Sequence, residues 1–307
     1  MITSKKCSKS DIIRIRNFLS SSYDSFPEKG NWLIDRLNFT FTVSRIINGV
    51  SEEEYCNRIR LFMEDDKIIS IVNTEGENRG EAFFQISDFN VEDELLSEMF
   101  NFVDSDLMIT QNGKKVVYLA INSNAEKIKK YAEKRGYTKE NWSEITSKKN
   151  VQFKNKIKLP KGYRLSSALQ TTAEQRAICH SFAFGYHDKP EIIKRSIKGQ
   201  EQLKQMPDYN PKYDIQVVER SGNVVAFANM WWDAHNKFGI LEPVGTHPDH
   251  RKLGLAKAAI YHAENLIAEE GAKFVYVGSN QPFYKRIGFY EVSEDLIYKF
   301  EKNILNY

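Results

Sequence analysis

Between Leu241 and Ala256 the chain reads Leu-Glu-Pro-Val-Gly-Thr-His-Pro-Asp-His-Arg-Lys-Leu-Gly-Leu-Ala, an apolar strand giving way to turn-formers and bases. Leu255, Ala259, Ala263 and Leu266 then recur at the spacing of one helical face, which predicts strand, loop and helix start in that order. The first N–H groups of a helix lack intrahelical partners and carry the positive end of its dipole, so the loop suits an anion. Arg251 and Lys252 add charge, and Gly254 lets the backbone approach a phosphate closely. Two other phosphate loops are absent: the sequence has no G-x-x-x-x-G-K-[ST], and no G-x-G-x-x-G following a strand.

Arg251-Lys-Leu-Gly-Leu-Ala256 resembles the (Gln/Arg)-x-x-Gly-x-(Gly/Ala) signature of the GNAT acetyltransferases, whose loop binds the pyrophosphate of acetyl-CoA. A helix to Glu270 follows, then a strand Lys273-Phe-Val-Tyr-Val-Gly278 and the run Asn280-Gln-Pro-Phe-Tyr-Lys-Arg-Ile-Gly-Phe289. That run is similar to the family's second hallmark, a Phe-Tyr-x-x-x-Gly-Phe helix and turn. The two motifs occur in the family's order, and together they cover roughly Leu241 to Phe289.

A length of 307 residues exceeds one such domain and predicts two, each with its own core. The net charge of +3 is spread over 44 bases and 41 acids, without the basic stripe that nucleic acid requires. Lys148-Lys149 and Lys154 to Lys161 read as solvated linker. Three cysteines without C-x-x-C fit reduced thiols in a reducing compartment. No apolar run reaches the roughly 18 to 20 residues of a membrane helix, and the start Met-Ile-Thr-Ser-Lys-Lys lacks an apolar signal core. The expectation is a cytoplasmic protein with no membrane and no nucleic-acid partner, as monomer or homodimer.

The Lys- and Asn-rich segment 147–162 separates two regions of similar order, 1–150 and 157–307. In the second, the pattern predicts a strand at Tyr163, helices over Thr172 to Phe184 and Pro190 to Gln205, and strands at Asp214, Asn223 and Phe238. The first region echoes this: Lys115-Val-Val-Tyr-Leu119 parallels Lys273-Phe-Val-Tyr-Val277, and Tyr131-Ala-Glu-Lys-Arg-Gly-Tyr137 parallels Phe283-Tyr-Lys-Arg-Ile-Gly-Phe289, as in a divergent repeat. Where its phosphate loop should fall, it has Ser-Asp-Phe-Asn-Val-Glu-Asp-Glu-Leu-Leu, whose acids satisfy a helix dipole themselves and repel pyrophosphate. The predicted fold class is α/β with a mixed sheet: two tandem GNAT folds, each a mostly antiparallel sheet flanked by helices, the first degenerate and without coenzyme.

The resemblance implies acetyl-CoA as co-substrate, a small-molecule or peptide amine as acceptor, and direct transfer without a metal. Backbone groups of Val244, Gly245 and Thr246 would bind the pantetheine arm and polarise the carbonyl. Arg251, Lys252, Leu253, Gly254, Leu255 and Ala256 would hold the pyrophosphate, and Asn280 loosely corresponds to a coenzyme-contacting asparagine. Tyr284 matches the tyrosine that protonates the departing thiolate; packing beside Phe283 and Phe289 is the other reading of it. Glu242, two residues before Val244, is expected on the same side by strand alternation, as base or as anchor for a cationic substrate. Trp231, Trp232, Asp233 and Tyr186 are candidate acceptor contacts, with at most one tryptophan facing the cleft. His247 and His250 have no third ligand in spacing with them, so no metal is expected. A coenzyme-binding module without turnover is the alternative, although Tyr284 and Glu242 would then have no role.

Overall fold

The computed structural model describes residues 2–75, 80–151 and 154–304. Its first half contains β1 (Thr3–Lys6), α1 (Ile12–Ser22), α2 (Ile34–Phe39), α3 (Arg45–Ile47), α4 (Glu52–Asn57), β2 (Arg60–Glu64), β3 (Lys67–Asn73), β4 (Glu81–Ile86), α5 (Asp93–Phe102), β5 (Ile109–Gln111), β6 (Lys114–Asn122), α6 (Glu126–Lys134) and β7 (Thr138–Asn150). It continues with β8 (Tyr163–Ser167), α7 (Ala173–Ala183), α8 (Pro190–Leu203), β9 (Asp214–Glu219), β10 (Val224–Asp233), β11 (Phe238–Thr246), α9 (Leu255–Glu269), β12 (Phe274–Val277), α10 (Pro282–Arg286) and β13 (Tyr290–Asn303). No helix among the described residues is long and apolar enough to cross a membrane.

Two compact units result: Met1–Ile34 with Val50–Thr146 and Glu291–Tyr307, and Asp35–Gly49 with Ser147–Tyr290. Two segments thus cross the expected division at residues 150 and 157. The chain's last strand completes the first unit, and the short helices α2 and α3 join the second. Hydrophobic periodicity identifies a strand but carries no record of which sheet receives it.

In the first unit the strands run β1-β2-β3-β4-β6-β13, antiparallel except for β4 and β6. Phe84, Leu119 and Ile121 on the sheet pack with Leu96 and Phe100 of α5 and Ile128 of α6 in one core. Full burial of such side chains stabilises by roughly 1.5–3 kcal/mol each.

In the second unit Ser147 to Asn150 of β7 pair with β12, which lies parallel to β11; antiparallel β10, β9 and β8 follow. The alternation of β9 and β10 sorts the two faces: Ile215, Val217, Ala226, Ala228 and Met230 pack with Leu255, Ala259, Ala263 and Ile267 of α9. On the other face Phe227 meets Cys179 and Ala183 of α7. A capping box starts α7, with Gln175 N–H donating to Thr172 Oγ1 and Thr172 N–H to Gln175 Oε1, and Pro190 opens α8 at a position where its missing N–H costs nothing.

The two units repeat one order. An antiparallel meander, a helix, a strand parallel to the meander's last, and a second helix appear as β2–β4, α5, β6, α6 and as β9–β11, α9, β12, α10. The reading of Lys148-Lys149 as solvated linker is corrected. Lys149 is buried in β7, and its Nζ donates to both carboxylate oxygens of Glu264 on α9 at 2.8 and 2.7 Å. Desolvation excludes a lone buried ammonium, and the partner lies 115 residues away, beyond any local pattern.

Candidate functional site

β11 and β12 pair only from Phe238↔Phe274 to Ile240↔Tyr276. Beyond that β11 runs on to Thr246 while β12 stops at Val277, so the strands part. A cleft of about 940 Å³ opens there, lined by Val244, Gly245 and Thr246, by the loop and first turn of α9, and by α10. This is the size of a site for a cofactor-sized ligand.

Gly254 caps α9 in the left-handed region, φ +77° and ψ 11°, where a glycine is at ease and other residues are strained. The helix's first backbone bond runs from Ala258 N–H to the Gly254 carbonyl, so the N–H groups of Leu255, Ala256 and Lys257 have no intrahelical partner. Arg251, Lys252, Lys257 and Arg286 line the same cleft, and among the described residues no carboxylate does. Cations at a helix start oppose its dipole and are favourable only when an anion joins them.

Of the expected coenzyme contacts, Val244, Gly245, Thr246, Arg251, Lys252, Gly254, Leu255 and Ala256 line the cleft. Leu253 does not line it and is exposed, and Gln281 takes the lining place expected of Asn280. Arg251 also fastens the loop, its Nη2 donating to the Ala183 carbonyl at 3.1 Å and its Nε to Thr246 O at 3.3 Å. Gly245 is required by packing: a β-carbon there would lie 2.3 Å from Phe227 Cζ and 2.9 Å from Ala183 Cβ.

Tyr284 lines the cleft from α10, its ring edge-on to Phe283 and Phe289 at 5.1 and 5.7 Å. Burial first, and then the negative charge of Glu242, push its phenol above the ordinary value of 10, so it remains a proton donor at neutral pH. The carboxylate and the phenol therefore share one electrostatic neighbourhood. The alternation argument for Glu242 and Val244 is corrected, however. Val244 pairs with Ala228 and Leu241 with Met230, so Glu242 and Pro243 together oppose Asn229 and the register shifts.

The acceptor candidates divide. Trp231 is 1% exposed, and its indole N–H donates to the Glu242 carbonyl at 2.7 Å. Trp232, on the opposite face, packs on the α9 side. Asp233 is not brought to the cleft: it accepts from Asn236 N–H and Nδ2 in the turn, six residues along β10 from Phe227, about 20 Å of strand. Tyr186 Oη lies 2.5 Å from His180 Nδ1 and 3.2 Å from Ser196 Oγ. Burial drives the His180 imidazole well below 6.5, with the charge of Arg176 adding to it, so the ring is neutral. Of the two histidines beside the loop, His250 Nδ1 meets the Tyr163 hydroxyl at 2.9 Å and His247 the Phe182 ring at 4.2 Å.

Sequence reasoning missed Lys257, Gln281 and Arg286. A usable signal existed for Lys257, a base in the first turn of a helix whose loop already holds two.

In the first unit β4 and β6 part in the same way after Phe83↔Ala120. There Asn31 closes the strand edge. Its Nδ2 donates to the Ile86 carbonyl at 2.7 Å, and its Oδ1 accepts from Ile86 N–H at 2.9 Å. Trp32 N–H donates to Gln85 Oε1 at 2.7 Å beside it. The following helix, α5, begins with Asp93 and Glu94.

The sequence model of the acetyltransferase (GNAT) family matches residues 177–291. No curated protein matches the sequence. Among solved structures, the fold is similar to that of a GCN5-related N-acetyltransferase from Sphaerobacter thermophilus, at 14% identity and TM-score 0.61, over 99% of this chain and 97% of that one. A tandem GNAT protein from the clavulanic acid biosynthesis pathway gives 8% identity and TM-score 0.65 over 100% of both chains. An acetyltransferase of the GNAT family from Colwellia psychrerythraea gives 12% and 0.54 over 98% and 99%.

Proposed function

We propose that residues 177–291, which match the sequence model of the acetyltransferase (GNAT) family within a fold similar to that of a tandem GNAT protein, form a GNAT acetyltransferase domain, and that this second unit transfers an acetyl group from acetyl-CoA to an amine of a small molecule or peptide. The observation that carries this reading is one cleft in which a parted strand end, a helix start, four bases and a buried tyrosine converge. The first unit, its strand edge closed by Asn31, keeps the architecture without a coenzyme site.

In the proposed reaction the pyrophosphate rests on the N–H groups of Leu255, Ala256 and Lys257, and Lys252, Lys257 and Arg286 balance its charge. The pantetheine arm runs along the unpaired edge of Val244 to Thr246, whose backbone donors polarise the thioester carbonyl. The amine nitrogen attacks the carbonyl carbon, the C–N bond forms and the C–S bond breaks. Glu242, outside the cleft lining, takes the amine proton through a water and Tyr284 gives one to the thiolate, so the products are an amide and coenzyme A.

Calorimetric titration with acetyl-CoA, followed by thiol release across amines, amino acids, aminoglycosides and peptides, tests the reading. Binding that is lost in Gly254→Glu and thiol release with at least one amine are expected. Unchanged affinity in Gly254→Glu would show the loop to be misassigned, and tight binding without release on any acceptor would make the protein a coenzyme-binding module.

A further inference from the structure

The face of the second unit's sheet that packs on α7 carries more polar chemistry than its fold uses. Asp214 and Gln216 of β9 share that face, as do Phe227 and Asn229 of β10, because Gln216 pairs with Phe227 and Asp214 with Asn229. Arg176 of α7 lies flat on the Phe227 ring, its Cζ 3.4 Å from the centroid, with Nε 3.6 Å from Asp214 Oδ1. These four polar residues are each 3% exposed or less.

Three of them nonetheless keep a donor without a partner. Arg176 Nη1, Gln216 Nε2 and Asn229 Nδ2 are buried without a hydrogen-bond partner, while Arg176 Nε and Asp214 Oδ1 face each other as an ion pair. Each such atom costs about 1–3 kcal/mol, and folded proteins carry few, so several on one face call for a missing partner. Other atoms of the same side chains are engaged. Gln216 Oε1 accepts from Thr171 Oγ1 at 2.6 Å and Asp214 Oδ2 from the Tyr209 hydroxyl at 2.8 Å, so their orientation is fixed.

The unsatisfied set also adjoins the transfer site. Phe227, beneath Arg176, is the ring that abuts Gly245, and Asn229 faces the Glu242–Pro243 bulge. The three open donor positions select a ligand rich in lone pairs and anionic.

We propose that the acceptor is an amine that also carries a carboxylate, and that Arg176, Gln216 and Asn229 read this carboxylate on the α7 side of the sheet. The proposal rests on the acetyltransferase reading and names its substrate class. A site built of buried donors rejects an analogue that lacks the matching acceptor, because the donors are then left unpaired.

Paired probes test this in the full-length chain: lysine against cadaverine, ornithine against putrescine and tyrosine against tyramine, read as thiol release from acetyl-CoA. The acid of at least one pair is expected to exceed its decarboxylated partner in kcat/KM by about tenfold or more. Arg176→Met and Asn229→Leu are expected to erase that preference through KM while leaving acetyl-CoA affinity unchanged, which also reports that each variant folds. Equal use of acid and amine, or a preference that survives both substitutions, would overturn the proposal and leave water as the partner of these atoms. A second arm needs no turnover: N-acetyl-lysine, N-acetyl-ornithine, N-acetyl-tyrosine and their carboxamides are titrated into the coenzyme A-loaded protein. Tighter binding of the acids that depends on Arg176 sustains the acceptor class even if no thiol is released, in which case only the catalytic reading fails. Equal binding of acids and amides overturns it.

Discussion

Gly245 faces Phe227 across the β10–β11 pair so closely that a β-carbon on the glycine would sit 2.3 Å from the ring's Cζ. A ring held in a packed core cannot give by the ångström or more this requires. Gly245→Ala is therefore expected to destabilise the protein by about 1–3 kcal/mol through overpacking. Because the displaced edge is the one assigned to the pantetheine arm, acetyl-CoA affinity should fall with it. Thermal melting and calorimetry on one preparation check both, and a variant with unchanged melting and affinity would remove the constraint.

Tyr284→Phe removes one oxygen and keeps the ring among Phe283 and Phe289. Turnover is expected to drop about 10²-fold, the lower end of what general acids supply, with KM for acetyl-CoA little changed. Since burial and Glu242 raise the phenol above 10, no loss of activity through this group is expected between pH 7 and its ordinary value. An unaltered turnover number would take Tyr284 out of the chemistry.

One coenzyme per chain is the expected calorimetric stoichiometry, because Asn31 occupies both backbone groups of Ile86. Asn31→Leu leaves that N–H and carbonyl buried without this partner, at about 1–3 kcal/mol each, and should lower the denaturant midpoint clearly. Two molecules bound to the wild-type chain would refute the closure of the first unit.

His180 ties stability to pH. Its folded-state pKa lies well below 6.5, so protons bind the unfolded chain more readily. Its contribution is full above pH 6.5 and is lost as pH falls below that value toward the folded pKa, by up to about 1.4 kcal/mol per unit. Urea midpoints at about pH 7.5 and 5.5 should differ more in the wild type than in His180→Gln. Equal slopes in the two proteins would assign the acid sensitivity to other groups.

The order of elements was legible in the sequence because it rests on local physics. The 3.6-residue period over Leu255 to Leu266 and the turn-formers at Ser221 to Asn223 each act within a few residues. The loop that opens α9 was legible for the same reason, since Arg251 to Ala256 is one contiguous run whose helix start supplies its own donors. Tyr284 was legible through a motif of fixed spacing.

What escaped depended on partners far apart in the chain. Lys149 resembled linker until Glu264 supplied its counter-charge, and Glu242 resembled a regular strand residue until the pairing with β10 shifted by one position. Arg286 has no local mark that separates it from a surface base, and Asn31 none that reveals the strand edge it closes. The sequence by itself determined which segments are strands and helices and which loop leads into α9. Only the tertiary structure decided that β13 completes the first unit, that four bases converge in a cleft where no described residue is a carboxylate, and that Arg176 is buried on Phe227 with an open donor. Periodicity and capping act within a turn or two of the chain, whereas desolvation and charge pairing depend on what each side chain meets after folding.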